Sequence, residues 1–389
     1  MIAARTSHLR ERGGHESGRV TYIELFFDLV FVFAVTQLSH GLLHHLTPTG
    51  AVETGLLMMA VWWVWIYTSW ITNWLDPERG PVRTMLLLLM AAGLILSASI
   101  PTAFGERGLS FAAAFVFMQV GRSAFMLWAL KRHDDGNYRN FLRITIWLCV
   151  SGLFWIAGGL ADGHMRLWLW AAAVAIEYIM PAAGMWVPGL GRSTTADWTI
   201  DGGHLAERCA LFVIIALGES VLVTGATFAD MPWSRTTLAA FAVTFVGSVA
   251  MWLIYFNIGA ERASKRIAQS EDPGRLARSG YTYLHILIVA GIIVSAVADE
   301  LVLSHPTGHT ELKSLLVIVG GPALYLAGTA LFKKLTSPTI PLSHLIGLGL
   351  LALTASAGMA VSPLVLSTGT AATLIVVAVW EWVSLRRRA

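Results

Sequence analysis

Twelve apolar runs of about 20 residues each succeed one another along the chain. They fall at 22–46, 52–74, 82–104, 110–131, 141–161, 166–186, 205–227, 235–258, 280–302, 313–335, 343–362 and 366–385. A helix of that length crosses a hydrocarbon core about 30 Å thick. The chain has 389 residues, 56% of them hydrophobic and 13% charged, which lies outside the composition of soluble domains. The runs predict an all-α fold, a polytopic membrane helix bundle of about 12 transmembrane helices.

Charge placement tests the count independently, because Lys and Arg collect in cytoplasmic loops. With the N-terminus inside, the inner segments hold Arg5, Arg10, Arg12 and Arg19, then Arg79, Arg83, Lys131, Arg132, Arg139, Arg143 and Arg192. The same side holds Arg262, Lys265, Arg266, Arg275, Arg278, Lys333, Lys334 and Arg386 to Arg388, against only Arg107, Arg166, Arg235 and Lys313 outside. One missed or invented helix would invert every later loop, so the asymmetry predicts twelve spans with both termini cytoplasmic. This bias accounts for the net charge of +3, which therefore argues nothing about nucleic acid, and no nucleic-acid partner is expected. Residues 1–20 are basic without an apolar stretch before a small-residue cleavage site, and read as a cytosolic tail. Cys149 and Cys209 lie inside apolar runs, so neither a disulfide framework nor a Cys-based zinc site is expected. Trp62, Trp63, Trp65, Trp70, Trp74, Trp168 and Trp170 read as lipid-facing or interfacial residues.

Parts of the sequence recur in order. Asn73-x4-Glu78-Arg79 is echoed by Asn257-x3-Glu261-Arg262, and Ala92-Gly93 to Ser97-Ala98 by Ala290-Gly291 to Ser295-Ala296. Val120-Gly121 is echoed by Val319-Gly320, and Glu177 by Glu381. The offsets rise steadily (Asn73 to Asn257, 184; Ser97 to Ser295, 198; Gly121 to Gly320, 199; Glu177 to Glu381, 204), as loops lengthening after one duplication would produce. Six helices return the chain to its starting side, so the halves would be parallel repeats related by an axis along the membrane normal. The expected organisation is a tail at 1–20, one six-helix repeat at 21–190 and a second at 191–389.

Against this apolar background a few charges stand out. Glu24, Asp28, Val35 and Ser39 share one helical face. A carboxylate deep in hydrocarbon costs about 2.5–3.5 kcal/mol on insertion scales, so such groups face a bundle interior and find partners. Asp28, about 9 Å inside its helix, is the costlier of the two. Arg208 and Glu219 share a face of the seventh run, the fourth brings Gln119, Arg122 and Ser123 to mid-depth, and the sixth brings Glu177. A guanidinium cannot escape burial by losing its proton, so Arg122 is expected to pair with Asp28, Glu177 or Glu219. A surplus of acids over Arg122 and Arg208 would leave one or two carboxylates able to take up and release protons. His285 is placed as a companion to the layer of Glu24, Asp28 and Glu207. His40, His44, His45, His305 and His309, with Glu300, offer a weaker outer metal site, and the simpler reading is that they are solvated and no metal is bound. Among residues able to hold an ion or substrate are Asp28, Asn73, Arg122, Glu177, Arg208, Glu219 and His285. No hydrolase triad, phosphate loop, haem motif or HExxH occurs, and nothing calls for a cofactor.

Glu24 to Leu42 (ELFFDLVFVFAVTQLSHGL), the NW-x-D of Asn73 to Asp76, Gly121-Arg122, and His204 to Ser220 (HLAERCALFVIIALGES) together resemble the bacterial low temperature requirement protein A (LtrA) family. The similarity covers roughly residues 18 to 385. The chain departs at Cys209-Ala210, where Phe-Gly or a similar pair is expected, while Glu207, Arg208 and Glu219 stand. The resemblance implies a multi-pass protein of the bacterial inner membrane and no particular reaction. More distantly, Asp28 to Leu38 looks like the first pore-lining helix of the endolysosomal potassium and proton channels, which also carry two six-helix repeats. This chain lacks their Ser before the Asp, and its seventh run has no matching Asp motif.

Two functions follow. The first is a permease or channel-like protein moving an ion or small solute, with the lipid bilayer as its setting, buried carboxylates as its proton or cation sites, and small-residue stretches such as Gly347 and Gly349 permitting a homo-oligomer. The alternative is a membrane-embedded enzyme acting on a lipid or isoprenoid substrate, with Asp28, Glu177 and Glu219 as acids in an aromatic-lined pocket. The sequence leans away from an enzyme.

Overall fold

The computed structural model describes residues 8–10, 19–131, 134–194, 200–256, 270, 272–337 and 339–386. The basic cluster Arg262, Lys265 and Arg266, together with Arg5, Arg12, Arg132, Arg387, Arg388, Asn257 and Glu261, lies outside the described residues.

Within those residues the chain forms twelve helices. They are α1 (Tyr22–His44), α2 (Pro48–Trp74), α3 (Gly80–Thr102), α4 (Gly108–Leu130), α5 (Asp135–Leu160), α6 (Gly163–Ala182), α7 (Gly202–Asp230), α8 (Arg235–Phe256), α9 (Gly274–Ser304), α10 (Leu312–Thr336), α11 (Leu342–Ala360) and α12 (Pro363–Arg386). Eleven are long and apolar enough to span a membrane. The other is α6, whose 20 residues include His164, Arg166 and Glu177. No strand occurs among the described residues beyond the isolated bridges Leu9–Leu75 and Val187–Gly191.

Local chemistry sets the helix ends. The Asp134 side chain accepts from Asn137 N and so opens α5 several residues before its apolar run. Proline at the first turn of α3, where no backbone donor is needed, suits that start. Beyond α6, Gly184 and Met185 adopt positive φ, and the chain leaves the helix. The Arg166 guanidinium is buried and donates to the carbonyls of Gly158, Ala161, Ala103 and Gly105. It satisfies carbonyls left open at the end of α5 and in the turn before α4. Two helices carry a wider π-type turn, Phe117–Gly121 in α4 and Arg278–Leu284 in α9.

The chain divides into two compact units. The first comprises Met1–Gly41, Val52–Arg208 and Glu271–Arg275, and the second Leu42–Ala51, Cys209–Ser270 and Leu276–Ala389. In the first, α4 packs on α3 and α5, and α5 on α6. Tyr178 of α6 stacks its ring 4.0 Å from that of Trp63 and donates to Met59 O at 2.8 Å, joining α6 to α2. In the second, α9 lies along α10, α8 along α12, and α10 against α11 and α12. The α9–α10 approach is close enough that a Cβ at Gly291 would sit 2.5 Å from Tyr325 N, so only glycine permits it.

The tryptophans correct the sequence reading. Trp62, Trp63, Trp65, Trp70, Trp74 and Trp170 are buried, and only Trp168 of that set is exposed. Their rings pack on neighbours inside the first unit, Trp74 edge-on to Phe141 at 5.6 Å and Trp155 on Trp170 at 5.3 Å. A large ring fills a helix interface as readily as an interfacial belt, and composition does not separate the two uses.

Candidate functional site

The two carboxylates of α1 head a polar network within the first unit. Thr21, just before the helix, donates from both N and Oγ1 to Glu24 Oε2 at 2.9 Å. Arg10 reaches the same oxygen at 2.9 Å and also donates to Thr72 O and Leu75 O, so residue 10, in the stretch read as a tail, is bound to the end of α2. His204 Nε2 lies 2.8 Å from Glu24 Oε1. Asn73 of α2 is fixed by two bonds to the Asp201 backbone, accepting from N at 2.9 Å and donating to O at 2.8 Å. That orientation turns its amide NH2 toward His204 Nδ1 at 3.3 Å. Nδ1 is therefore the acceptor, and Nε2 carries the proton donated to Glu24.

One turn further along α1, Asp28 is fully buried. Its Oδ1 accepts from Arg208 Nη2 of α7 and from Trp65 Nε1 of α2, both at 2.8 Å. Arg208 Nε also donates to Ser69 Oγ at 3.3 Å, and its guanidinium lies 5.6 Å from the Trp65 ring centroid. The pair meets by one oxygen and one nitrogen only. Asp28 Oδ2 and Arg208 Nη1 are buried without hydrogen-bond partners, where a bidentate fork would use both. An orphan of this kind costs about 1–3 kcal/mol where nothing else satisfies it.

Arg122 departs from the expectation that it pairs with a carboxylate. It is fully buried, yet it donates to Val64 O at 2.9 Å, Thr68 Oγ1 at 2.8 Å and Gln119 Oε1, all neutral groups. Gln119 in turn donates from Nε2 to Glu177 Oε2 at 3.1 Å, so the amide bridges the guanidinium and the acid. Glu177 also accepts from Ser151 Oγ at 2.7 Å and Trp155 Nε1 at 3.0 Å. The partner of Asp28 is Arg208, not Arg122.

The remaining expected residues lie in the second unit. Glu219 is buried in α7. His285 is held by Tyr255 OH and Gly280 O, each at 2.8 Å. Its Nδ1 donates to the carbonyl, which leaves Nε2 to accept from the tyrosine. The imidazole beside Glu24 is His204, the role the sequence reading gave to His285. His204 was legible in principle, since it precedes Arg208 by four residues and shares its face. Arg10, Asp299, and the pairing of Lys333 with Glu381 at 2.5 Å also escaped that reading. His44 and His45 are exposed, and His305 and His309 line a cavity of about 310 Å³ with Glu311 and Lys313. Among the described residues no group of three His, Cys, Asp or Glu is arranged to hold a metal.

The model of the family described as bacterial low temperature requirement A protein (LtrA) matches residues 19–379. The uncharacterized protein RA0937 of Rhizobium meliloti (strain 1021) is 41% identical over 386 residues, covering 99% of this chain and 94% of that one. No solved structure matches the chain. The family match takes in Glu24, Asp28, Asn73, Arg122, Glu177, His204 and Arg208, with Arg10 of the same network lying before it, and the chain belongs to the bacterial low temperature requirement A family.

Proposed function

We propose that this chain is a multi-pass protein of the bacterial inner membrane, both termini cytoplasmic, that moves an ion or small solute as a permease or channel, with Asp28 as a proton or cation site. The observation that carries the reading is the one-legged Asp28–Arg208 pair, fully buried and with an orphan atom on each side. Ionised residues in membrane helices mark ion paths or proton relays by default, and a pair with spare hydrogen-bonding capacity can exchange its partner for a proton or a cation. Protonation of Asp28 would release Arg208 toward Ser69 and the Trp65 ring, both already in contact with it. Glu177 and Glu219 are further carboxylates of the same reading, and Asn73 and Arg122 hold their surroundings in place.

Two internal repeats, 21–190 and 191–389, complete the proposal. Three parallels support them. Glu177 of α6 reaches α4 through Gln119, and Glu381 of α12 reaches α10 through Lys333. Helix α2 packs with α6, as α8 packs with α12. Helix α3 packs with α4, as α9 does with α10. The lipid-modifying alternative needs aromatic rings lining a pocket, whereas Trp155 is taken up by contacts with Phe111, Phe115 and Trp170. In proteoliposomes, Asp28→Asn is expected to reduce pH-driven flux to the level of protein-free vesicles while the protein stays monodisperse. Undiminished flux with Asp28→Asn and Glu219→Gln combined would overturn the reading.

A further inference from the structure

A carboxylate outside this network stands in the second unit. Asp299 of α9 is buried, and its Oδ2 accepts a 2.6 Å bond from Ser220 Oγ of α7, itself 2.9 Å from Ser248 Oγ of α8. With Thr244, Ser248, Ser295, Ser367 and Thr370, Asp299 lines a cavity of about 30 Å³, room for one particle the size of a water molecule. Ser295 Oγ is buried without a hydrogen-bond partner, in a residue only 5% exposed. Its position is fixed by α10, where a Cβ at Gly321 would sit 2.6 Å from that oxygen.

The hydroxyls are turned to offer lone pairs. Thr244 Oγ1 donates to Ala240 O and Thr370 Oγ1 to Ser367 O, so their protons point at backbone and away from the cavity. The Ser220 proton goes to Asp299. Among the lining residues there is no Lys, Arg or His, and α10 contributes only Ile318 and Pro322. Glu219, next to Ser220, and Glu300, next to Asp299, do not line the cavity. An ionised Asp299 would thus face neutral oxygens alone, and a buried charge of that kind needs a proton or a counter-ion. One negative charge, hard oxygen ligands and a water-sized space match a small monovalent cation. Calcium would need more ligands, and soft metals would need sulfur or imidazole.

We propose that the Asp299 cavity is a sodium-class monovalent cation site at which a small alkali cation and a proton compete for one carboxylate. The site is separate from Asp28 and is read by binding alone, so its failure leaves the transport reading standing. The test is equilibrium binding of radiolabelled sodium to the purified full chain in choline buffer at alkaline pH. Binding is expected to be saturable, displaced by lithium and by acidification, and untouched by choline. Asp299→Asn should abolish it, and Ser295→Ala or Thr370→Val should weaken it about tenfold. Absence of saturable binding in the wild type, with water or a proton as the sole occupant, would overturn the proposal, as would undiminished affinity in Asp299→Asn. Should Asp299→Asn not fold, unchanged affinity in both hydroxyl variants would overturn it equally.

Discussion

Asp28 of the first unit and Asp299 of the second meet the same problem, charge in an apolar interior, in opposite ways. In the first, Glu24 meets Arg10 and His204, Asp28 meets Arg208, and Glu177 is surrounded by three donors with an amide between it and Arg122. In the second, Lys333 and Glu381 form a comparable lock, but Asp299 meets only hydroxyls. A charge locked to a charge is costly to separate and ties helices together; here Asp28 ties α1 to α2 and α7. A charge held by hydroxyls is free to trade a proton for a cation without breaking an ion pair. The comparison therefore predicts that substitutions in the first unit act on stability as well as function, and that substitution at Asp299 acts on ligand binding alone.

The largest effect is expected at Arg208. Removing one member of a buried pair strands the other, and Arg208→Met should cost about 3–5 kcal/mol in denaturant unfolding of the purified protein. Adding Asp28→Asn should recover much of that loss, because no buried carboxylate then remains uncompensated. If Arg208→Met costs no more than a surface substitution, the pair is not a lock and the contrast between units fails.

How far the sequence led is itself explained by these contacts. The bilayer enforces helix length, so the runs placed the twelve helices of the described residues. Their ends moved where local chemistry intervened, as at Asp134, whose cap starts α5 at Asp135 against the expected 141. Spacing of four along a helix marked Glu24 and Asp28, and a spacing of eleven marked Arg208 with Glu219, as side chains that need partners. Which partner each finds depends on helix packing. Arg122 is satisfied in part by the Val64 carbonyl, and a backbone acceptor leaves no trace in the sequence. Asp299 was hidden for the converse reason, because its surroundings are serines and threonines scattered over α7, α8, α9 and α12.

Glu177→Gln sharpens the comparison within the first unit. Since Arg122 donates to neutral groups, its environment survives the change, and the glutamine keeps an oxygen for Ser151 or Trp155. The expected loss is about 1 kcal/mol, the scale of one hydrogen bond. A loss as large as that of Arg208→Met would mean that Glu177 balances Arg122 directly, in spite of the intervening Gln119.

The smallest effect on stability is expected at Asp299, and its size matters because it is small. Asp299→Asn keeps an oxygen able to accept from Ser220 Oγ and removes a charge that no Lys, Arg or His lining the cavity compensates. In sodium-free buffer the unfolding free energy should therefore change by less than about 1 kcal/mol, in either direction. In sodium the wild type alone should gain stability as the cation concentration rises, because a ligand that binds only the folded state stabilises it by mass action. Titrating both proteins with sodium and reading the unfolding midpoint separates the two kinds of buried acid. A midpoint that rises for the wild type and stays level for Asp299→Asn marks an exchangeable charge, and parallel curves would mean that Asp299 holds no sodium.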